Sequence, residues 1–313
     1  MKQFIIFLFI LANTSLIAQN AGVRFVEVPA EQKVDVFINN TPFTAFLYAD
    51  SLKKQILYPI YTASGKTITR GFPINPQPGE QTDHPHQVGL WFNFGDVEGL
   101  DFWNNSYAIS ESERCKYGSI RFKRIVEKDE ANGRLVVQAE WVDCNQTVLL
   151  EETTTYTFSG KPQFRYIVRK SVLTAVNRDI LFTENKEGMF GLRIDKNLEE
   201  TGTGVYTNRL GNQGGDVWGK RSPWVALSGQ KEGEAISVVI IDHPQNLNYP
   251  GWSHARGYGL FATNNLGGRE FDKNADEVKV VLKKGDSLTF QYKLVIKNGN
   301  VINEEEITDE MTF

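Results

Sequence analysis

Apolar residues recur at every second position through much of this chain. That period fits strands with one buried face and argues against helices. Leu135, Val137, Ala139 and Trp141 share one side, while Arg134, Gln138 and Glu140 take the other. Phe164, Tyr166 and Val168 repeat the pattern, as do Val278, Val280 and Leu282, then Leu288, Phe290, Tyr292, Leu294 and Ile296. Ile236 to Ile241 is apolar but for Ser237 and predicts a strand buried on both faces. Turn residues punctuate these runs at Asn39-Asn40, Asn132-Gly133, Ser159-Gly160-Lys161-Pro162, Lys284-Gly285-Asp286 and Asn298-Gly299. No amphipathic helix with caps is legible. Short helical turns fit near 104–114 and 268–276, and the acidic tail 304–310 reads as a solvated end. The expectation is an all-β chain: a large two-sheet antiparallel β-sandwich, one domain over 19–313.

The first residues carry a secretory pattern. Lys2 precedes a short apolar run, Phe4 to Ala12, then a polar break and a cut expected after Ala18. The run is too short to span a bilayer, and no later stretch is apolar enough to do so. A periplasmic or secreted protein, with no membrane span in the mature chain, is expected. The formal charge is −4 and no basic stripe is visible, so nucleic acid is not an expected partner. The 20 Phe, 11 Tyr and 6 Trp suit a large core rather than disorder. Of two cysteines, Cys115 and Cys144, a hairpin turning at Asn132-Gly133 sets Cys144 opposite Arg121 instead of opposite Cys115. Two free buried thiols are therefore expected over a bridge, although export permits one.

Polar chemistry concentrates in four segments. The densest is Asp83-His84-Pro85-His86, reached through the Pro-rich loop 72–88. Pro85 disfavours the helical region for His84, and in an extended chain His84 and His86 would point the same way. Such a pair suits acid–base work, or two metal ligands with Asp83 orienting one ring. Asp242-His243-Pro244 echoes the motif at a strand end and is followed by His254 and Arg256, so all four histidines fall within two segments. Glu187-Gly188-Met189-Phe190-Gly191-Leu192-Arg193 offers a carboxyl whose pKa burial would raise, and glycines that signal close approach of backbone or ligand. Asp101-Phe102-Trp103-Asn104 fits either core packing or a sugar platform. No nucleophile elbow, phosphate loop or C-x-x-C is present.

At these residues the chain resembles the PmoA-like family, labelled "methane oxygenase" and better described as of unknown function. The likeness rests on Arg70-Gly71-Phe72-Pro73, Asp83-His84-Pro85-His86, Gly89-Leu90-Trp91, Asp101-Phe102-Trp103, Glu187-Gly188 with Gly191 and Arg193, Asp242-His243-Pro244, and Arg256-Gly257-Tyr258-Gly259-Leu260-Phe261. Gln87 stands where many relatives carry a histidine, which weakens metal ligation there. The order of motifs is also similar in outline to galactose-mutarotase-like supersandwiches, which use His, Glu and Asp on a concave sheet face to act on sugars. The resemblance implies a carbohydrate-active hydrolase, lyase or epimerase.

In that reading His84, His86, His243 and Glu187 are catalytic. Arg70, Asp83, Trp103, Arg193, Asp242, His254 and Arg256 hold a carbohydrate or glycan-derived small molecule. No cofactor is expected. The alternatives are a non-catalytic glycan-binding protein and a metal-dependent enzyme centred on His84 and His86. The enzyme reading with His84, His86 and His243 in one site requires the two Asp-His-Pro turns to present their histidines to one hollow.

Overall fold

A computed structural model describes residues 22–313. The expected export signal, 1–18, lies outside the described residues. Two eight-stranded antiparallel sheets face each other. The first runs in the order β1 (Val23–Val28), β2 (Lys33–Ile38), β3 (Thr41–Leu47), β4 (Ile56–Leu57), β5 (Leu90–Phe94), β11 (Gly188–Arg193), β16 (Leu260–Asn264), β15 (Trp252–Arg256). The second runs β12 (Val205–Asn208), β13 (Trp224–Lys231), β14 (Glu234–Asp242), β18 (Ser287–Asn298), β9 (Phe164–Ala175), β8 (Val148–Lys161), β7 (Arg134–Val142), β6 (Ser119–Asp129). A small pair, β10 (Ile180–Thr183) and β17 (Lys279–Leu282), completes the set. The fold is the two-sheet sandwich that the alternation predicts. Among the described residues no helix is long and apolar enough to cross a membrane.

Alternation decides which layer each residue joins. Leu135, Val137, Ala139 and Trp141 are all buried between the sheets, as their period requires. There Phe92 meets Trp141, Phe290 and Tyr292, and Phe190 stacks on Tyr292 at 5.0 Å. Each such side chain contributes about 1.5–3 kcal/mol by leaving water. β14 is buried on both faces: Ile236, Val238 and Ile240 enter this central core, while Val239 and Ile241 join a second cluster with Tyr166, Trp224 and Val295. A third cluster, around Ile56, Tyr58, Trp91, Trp103, Leu260 and Ala262, covers the first sheet's outer face.

The acidic tail is not a solvated end. Glu304–Asp309 forms an α-helix, α1, with Asn303 and Glu306 making a reciprocal capping box. Ile307 is buried against the second sheet's outer face, and Glu310 receives the Lys293 ammonium and the Tyr166 hydroxyl. Glu306 and Glu310 pair with Lys297 and Lys293 on β18, and the acids of the first turn suit a helix N-terminus.

The cysteines are bridged, against expectation, with Cα atoms 5.0 Å apart. The turn pairs Asp129 with Arg134, two positions off the expected register, and two register shifts in β6, between Phe122 and Arg124 and between Ile125 and Glu127, add two more, so Arg121 lies opposite Glu140. The partner of Cys144 is thereby shifted toward the N-terminus, where a short helical turn, Glu111–Lys116, presents Cys115 at the surface. A bulge inserts one unpaired residue, so counting from the turn alone overshoots. The bridge closes a loop with a separation of 29 residues. Replacing both cysteines by serine is expected to lower unfolding free energy by about 3 kcal/mol, read from urea midpoints. A change under about 0.5 kcal/mol would mean the reduced hairpin holds the loop equally well.

Candidate active site

Strand register lays the site out in rows on the first sheet's outer face. Trp91 pairs with Gly191, Gly191 with Ala262, and Ala262 with His254, across β5, β11, β16 and β15. Two residues along, Arg193 pairs with Leu260 and Leu260 with Arg256. Gly191 serves packing: a Cβ there would lie 2.6 Å from Trp91 Cζ2 and 2.9 Å from Trp103 Cη2. The close approach expected of that glycine is to two indoles.

The loop before β5 is fastened from below by buried arginines. Arg70 Nη1 donates to Asp83 Oδ1 at 2.8 Å and to the Gln81 carbonyl, and Nη2 donates to the carbonyls of His84 and Gln87. Arg193 donates to Gln87 Oε1 at 2.5 Å and to the same Asp83 oxygen at 3.2 Å. Glu199 Oε1 lies 3.9 Å behind Arg193. Burial alone would raise the Asp83 carboxyl, but Arg193, His84 and Arg70 outweigh it and hold Asp83 below its ordinary pKa.

Asp83 Oδ2 lies 2.6 Å from His84 Nδ1, and both side chains are 39% exposed. His84 is not extended. Its φ is +46°, and Gln87 N donates to its carbonyl, so residues 84–87 form a turn. The turn, fixed by Arg70 on two of its carbonyls, overrides the local preference set by Pro85. The His84 and His86 rings still neighbour each other, with centroids 5.6 Å apart at 74°. His84 stacks flat on Tyr258 at 5.0 Å and 5°, while the Arg193 guanidinium lies 4.8 Å from the Tyr258 centroid.

Glu187 enters just before β11. Its oxygens lie 3.7 Å from Lys186 Nζ and 3.9 Å from His254 Nδ1. Burial pushes the Glu187 carboxyl above its ordinary value, against the pull of Lys186 and with the help of Asp101; Arg256 also faces it. Tyr258 in turn lies within electrostatic reach of Glu187, Arg193 and Arg256. Asp83, His84 and Tyr258 thus form one group in contact, above Arg70 and Arg193, and Glu187 with His254 forms a second; Arg256 lies within electrostatic reach of Glu187 and Tyr258.

Other expected site residues take different places. Trp103 is fully buried against Trp91 and cannot be a sugar platform. The Asp101 carboxylate is spent on the backbone of Trp103 and Asn104. Arg70 and Arg193, 1% and 0% exposed, hold the loop and do not reach a ligand. His86 is pushed down to about 2, by burial first and then by Lys54 and neighbouring cations, and His254 to about 3 by burial and Arg256. Burial therefore favours the neutral form of both rings and counts against His86 as a proton donor. His243 does not join the patch. Its ring meets Phe313 at 4.6 Å, in the cluster on the second sheet's outer face, and its Nδ1 accepts from Gln245 N. The two Asp-His-Pro turns thus sit on opposite outer faces of the sandwich, and only His254 of the later segment reaches the site.

Asp242 is likewise a structural acceptor and not a substrate ligand. It takes Asn246 Nδ2 at 2.6 Å, Gly251 N at 2.7 Å and Asn265 Nδ2 at 2.9 Å. Burial raises it to about 6, against those hydrogen bonds. The folded carboxyl then binds its proton more tightly than the unfolded chain, so its contribution falls as pH rises from about 4 through about 6. Asp242→Asn removes that pH component and sets an amide N–H against donors, at a cost of about 2 kcal/mol. Urea titrations at pH 4 and pH 7 check both; an unchanged pH slope in the variant would refute the assignment.

Among the described residues no group of three or more His, Cys, Asp or Glu side chains is arranged to hold a metal ion. A family of unknown function, DUF6807, matches residues 33–312. The chain belongs to the DUF6807 family. No curated protein matches it. Among solved structures this DUF6807 chain is similar to the galactosidase domain of the alpha-galactosidase-sucrose kinase AgaSK, with 11% identity, TM-score 0.43, and coverage of 88% of this chain but 41% of that one. It is also similar to a putative aldose 1-epimerase from Escherichia coli K12, with 8% identity, TM-score 0.37 and coverage of 89% and 99%. A galactose mutarotase-like protein from Clostridium acetobutylicum gives 10%, 0.33, 90% and 99%. At these scores the likeness bears on no residue of the site. The family that matches is DUF6807, and the PmoA-like resemblance rests on motifs alone.

Three residues of the DUF6807 site went unassigned in the sequence. Tyr258, the surface against which His84 lies, was visible only as an aromatic beside Gly259. Lys54 has no motif around it, yet it is buried, donates to the His86 carbonyl at 2.7 Å and the Trp103 carbonyl at 3.4 Å, and is pushed down to about 7 by burial. Glu199, the buried counter-charge to Arg193, carries no local signal.

Proposed function

We propose that this DUF6807 protein is an exported carbohydrate-active enzyme working by general acid–base chemistry. The observation that carries the reading is the Asp83–His84 pair. An exposed imidazole is oriented by a carboxylate that two buried arginines hold at a lowered pKa, and it stacks on Tyr258, which lies within electrostatic reach of Glu187, a carboxyl whose pKa burial raises. His84 takes a proton from a sugar carbon, a hydroxyl or a water. Glu187 gives one to the opposite oxygen. Tyr258 and Arg256 offer an aromatic edge and a guanidinium for sugar hydroxyls. Hydrolysis, elimination and epimerisation all need this acid–base pairing. The surface disulfide agrees with an oxidising compartment, and so with the export signal read at the N-terminus.

The test is turnover of a panel of plant and host oligosaccharides, followed by mass and by NMR. Glu187→Gln is expected to lower kcat/KM about 10²-fold or more and to remove the high-pH limb, because the acid form is lost as pH rises through its raised pKa. Binding of a glycan with no turnover of any would leave a binding protein and end the enzyme reading.

A further inference from the structure

A groove of about 910 Å³ lies beside edge strand β15, bounded by segments 218–221, 247–252 and 271–280, and His84 is not in its lining. Half-buried Trp218 and Phe271 line it and meet at 5.3 Å. The groove borders the site. The Arg256 guanidinium, within electrostatic reach of Glu187, lies 4.7 Å over the Trp218 ring, and Phe271 packs 5.6 Å from His254. The charged lining balances: Lys220, Arg221 and Lys279 stand against Asp272, Asp276 and Glu277. A half-buried aromatic wall and a rim of both signs suit a neutral polyhydroxyl chain over an anionic or apolar one.

We infer that this groove binds the continuation of a glycan whose reacting sugar sits at His84 and Glu187, so the ligand is an uncharged oligosaccharide of several residues and not a free monosaccharide. The inference rests on the carbohydrate reading above and extends it to chain length. Trp218 and Phe271 supply the aromatic wall, and the rim lysines, arginine and carboxylates meet the hydroxyls. Arg256 joins the two halves of the binding surface.

Titration calorimetry with maltohexaose, cellohexaose, xylohexaose and mannohexaose, each beside its disaccharide, tests it. At least one hexasaccharide is expected to bind ten times tighter than its disaccharide. Trp218→Ala should abolish that advantage. Asn274→Arg, on the exposed rim, should do the same by narrowing the groove without touching buried packing, and it decides the matter if the tryptophan variant fails to fold. Equal affinity for short and long chains, no binding of any hexasaccharide, or a length dependence untouched by Asn274→Arg would overturn the proposal. The two readings fail separately. Length-dependent binding without turnover keeps the groove and removes the enzyme, whereas turnover without length dependence keeps the enzyme and removes the groove.

Discussion

His84→Ala is expected to lower kcat/KM on a turned-over glycan by about 10²–10⁴-fold, the range spanned by a positioned general base. Stability should barely move. The ring is 39% exposed and its main contact is the face of Tyr258, so Tm is expected to stay within about 3 °C. The Asp83 carboxylate keeps both arginines after the change, so the loop keeps its anchor. A functional role separates cleanly from a structural one here, because the two make opposite predictions about the two readouts. Full activity with a normal melt would move the base elsewhere in the patch. A Tm loss above about 10 °C would make His84 a structural residue.

Arg193→Met should do the reverse. The substitution keeps much of the side-chain volume and removes the charge. Gln87 Oε1 then loses its 2.5 Å donor, Asp83 loses one of two guanidiniums, and buried Glu199 is left without its nearest cation. Removing one partner of a buried charged network costs about 3–5 kcal/mol. For a chain of this size Tm should fall by about 10 °C. Loop 81–87 should also become the first site of proteolysis, because two of the contacts that tie it to β11 are gone. A melt within 2 °C of the parent would show that Arg70 alone holds the loop.

The second sheet was largely legible and the first largely was not. β7, β9 and β18 show one face to the core and the other to water, at least along part of their length, and their residues alternate accordingly. β5, β11 and β16 are buried at every residue, covered inside by the opposite sheet and outside by the site loops. A strand wet on neither face has no period to read. The site was therefore named through its loops, Asp83–His86 and Glu187, while the strand rows that carry Arg193, His254 and Arg256 were invisible as a surface.

The residue pattern by itself determined the all-β class, much of β6, β7, β9, β14 and β18 in the second sheet, and the main hairpin turn; it also offered His84, His86, His243 and Glu187 as candidate catalytic groups without saying which of them meet. Tertiary structure alone decided which of the paired motifs meet. Asp83-His84 and Asp242-His243 look equivalent along the chain, yet one lies over the first sheet and the other beside Phe313 on the far face. Sequence spacing encodes the side of a strand on which a residue lies, but the sheet that strand joins depends on long-range pairing and burial of the whole chain.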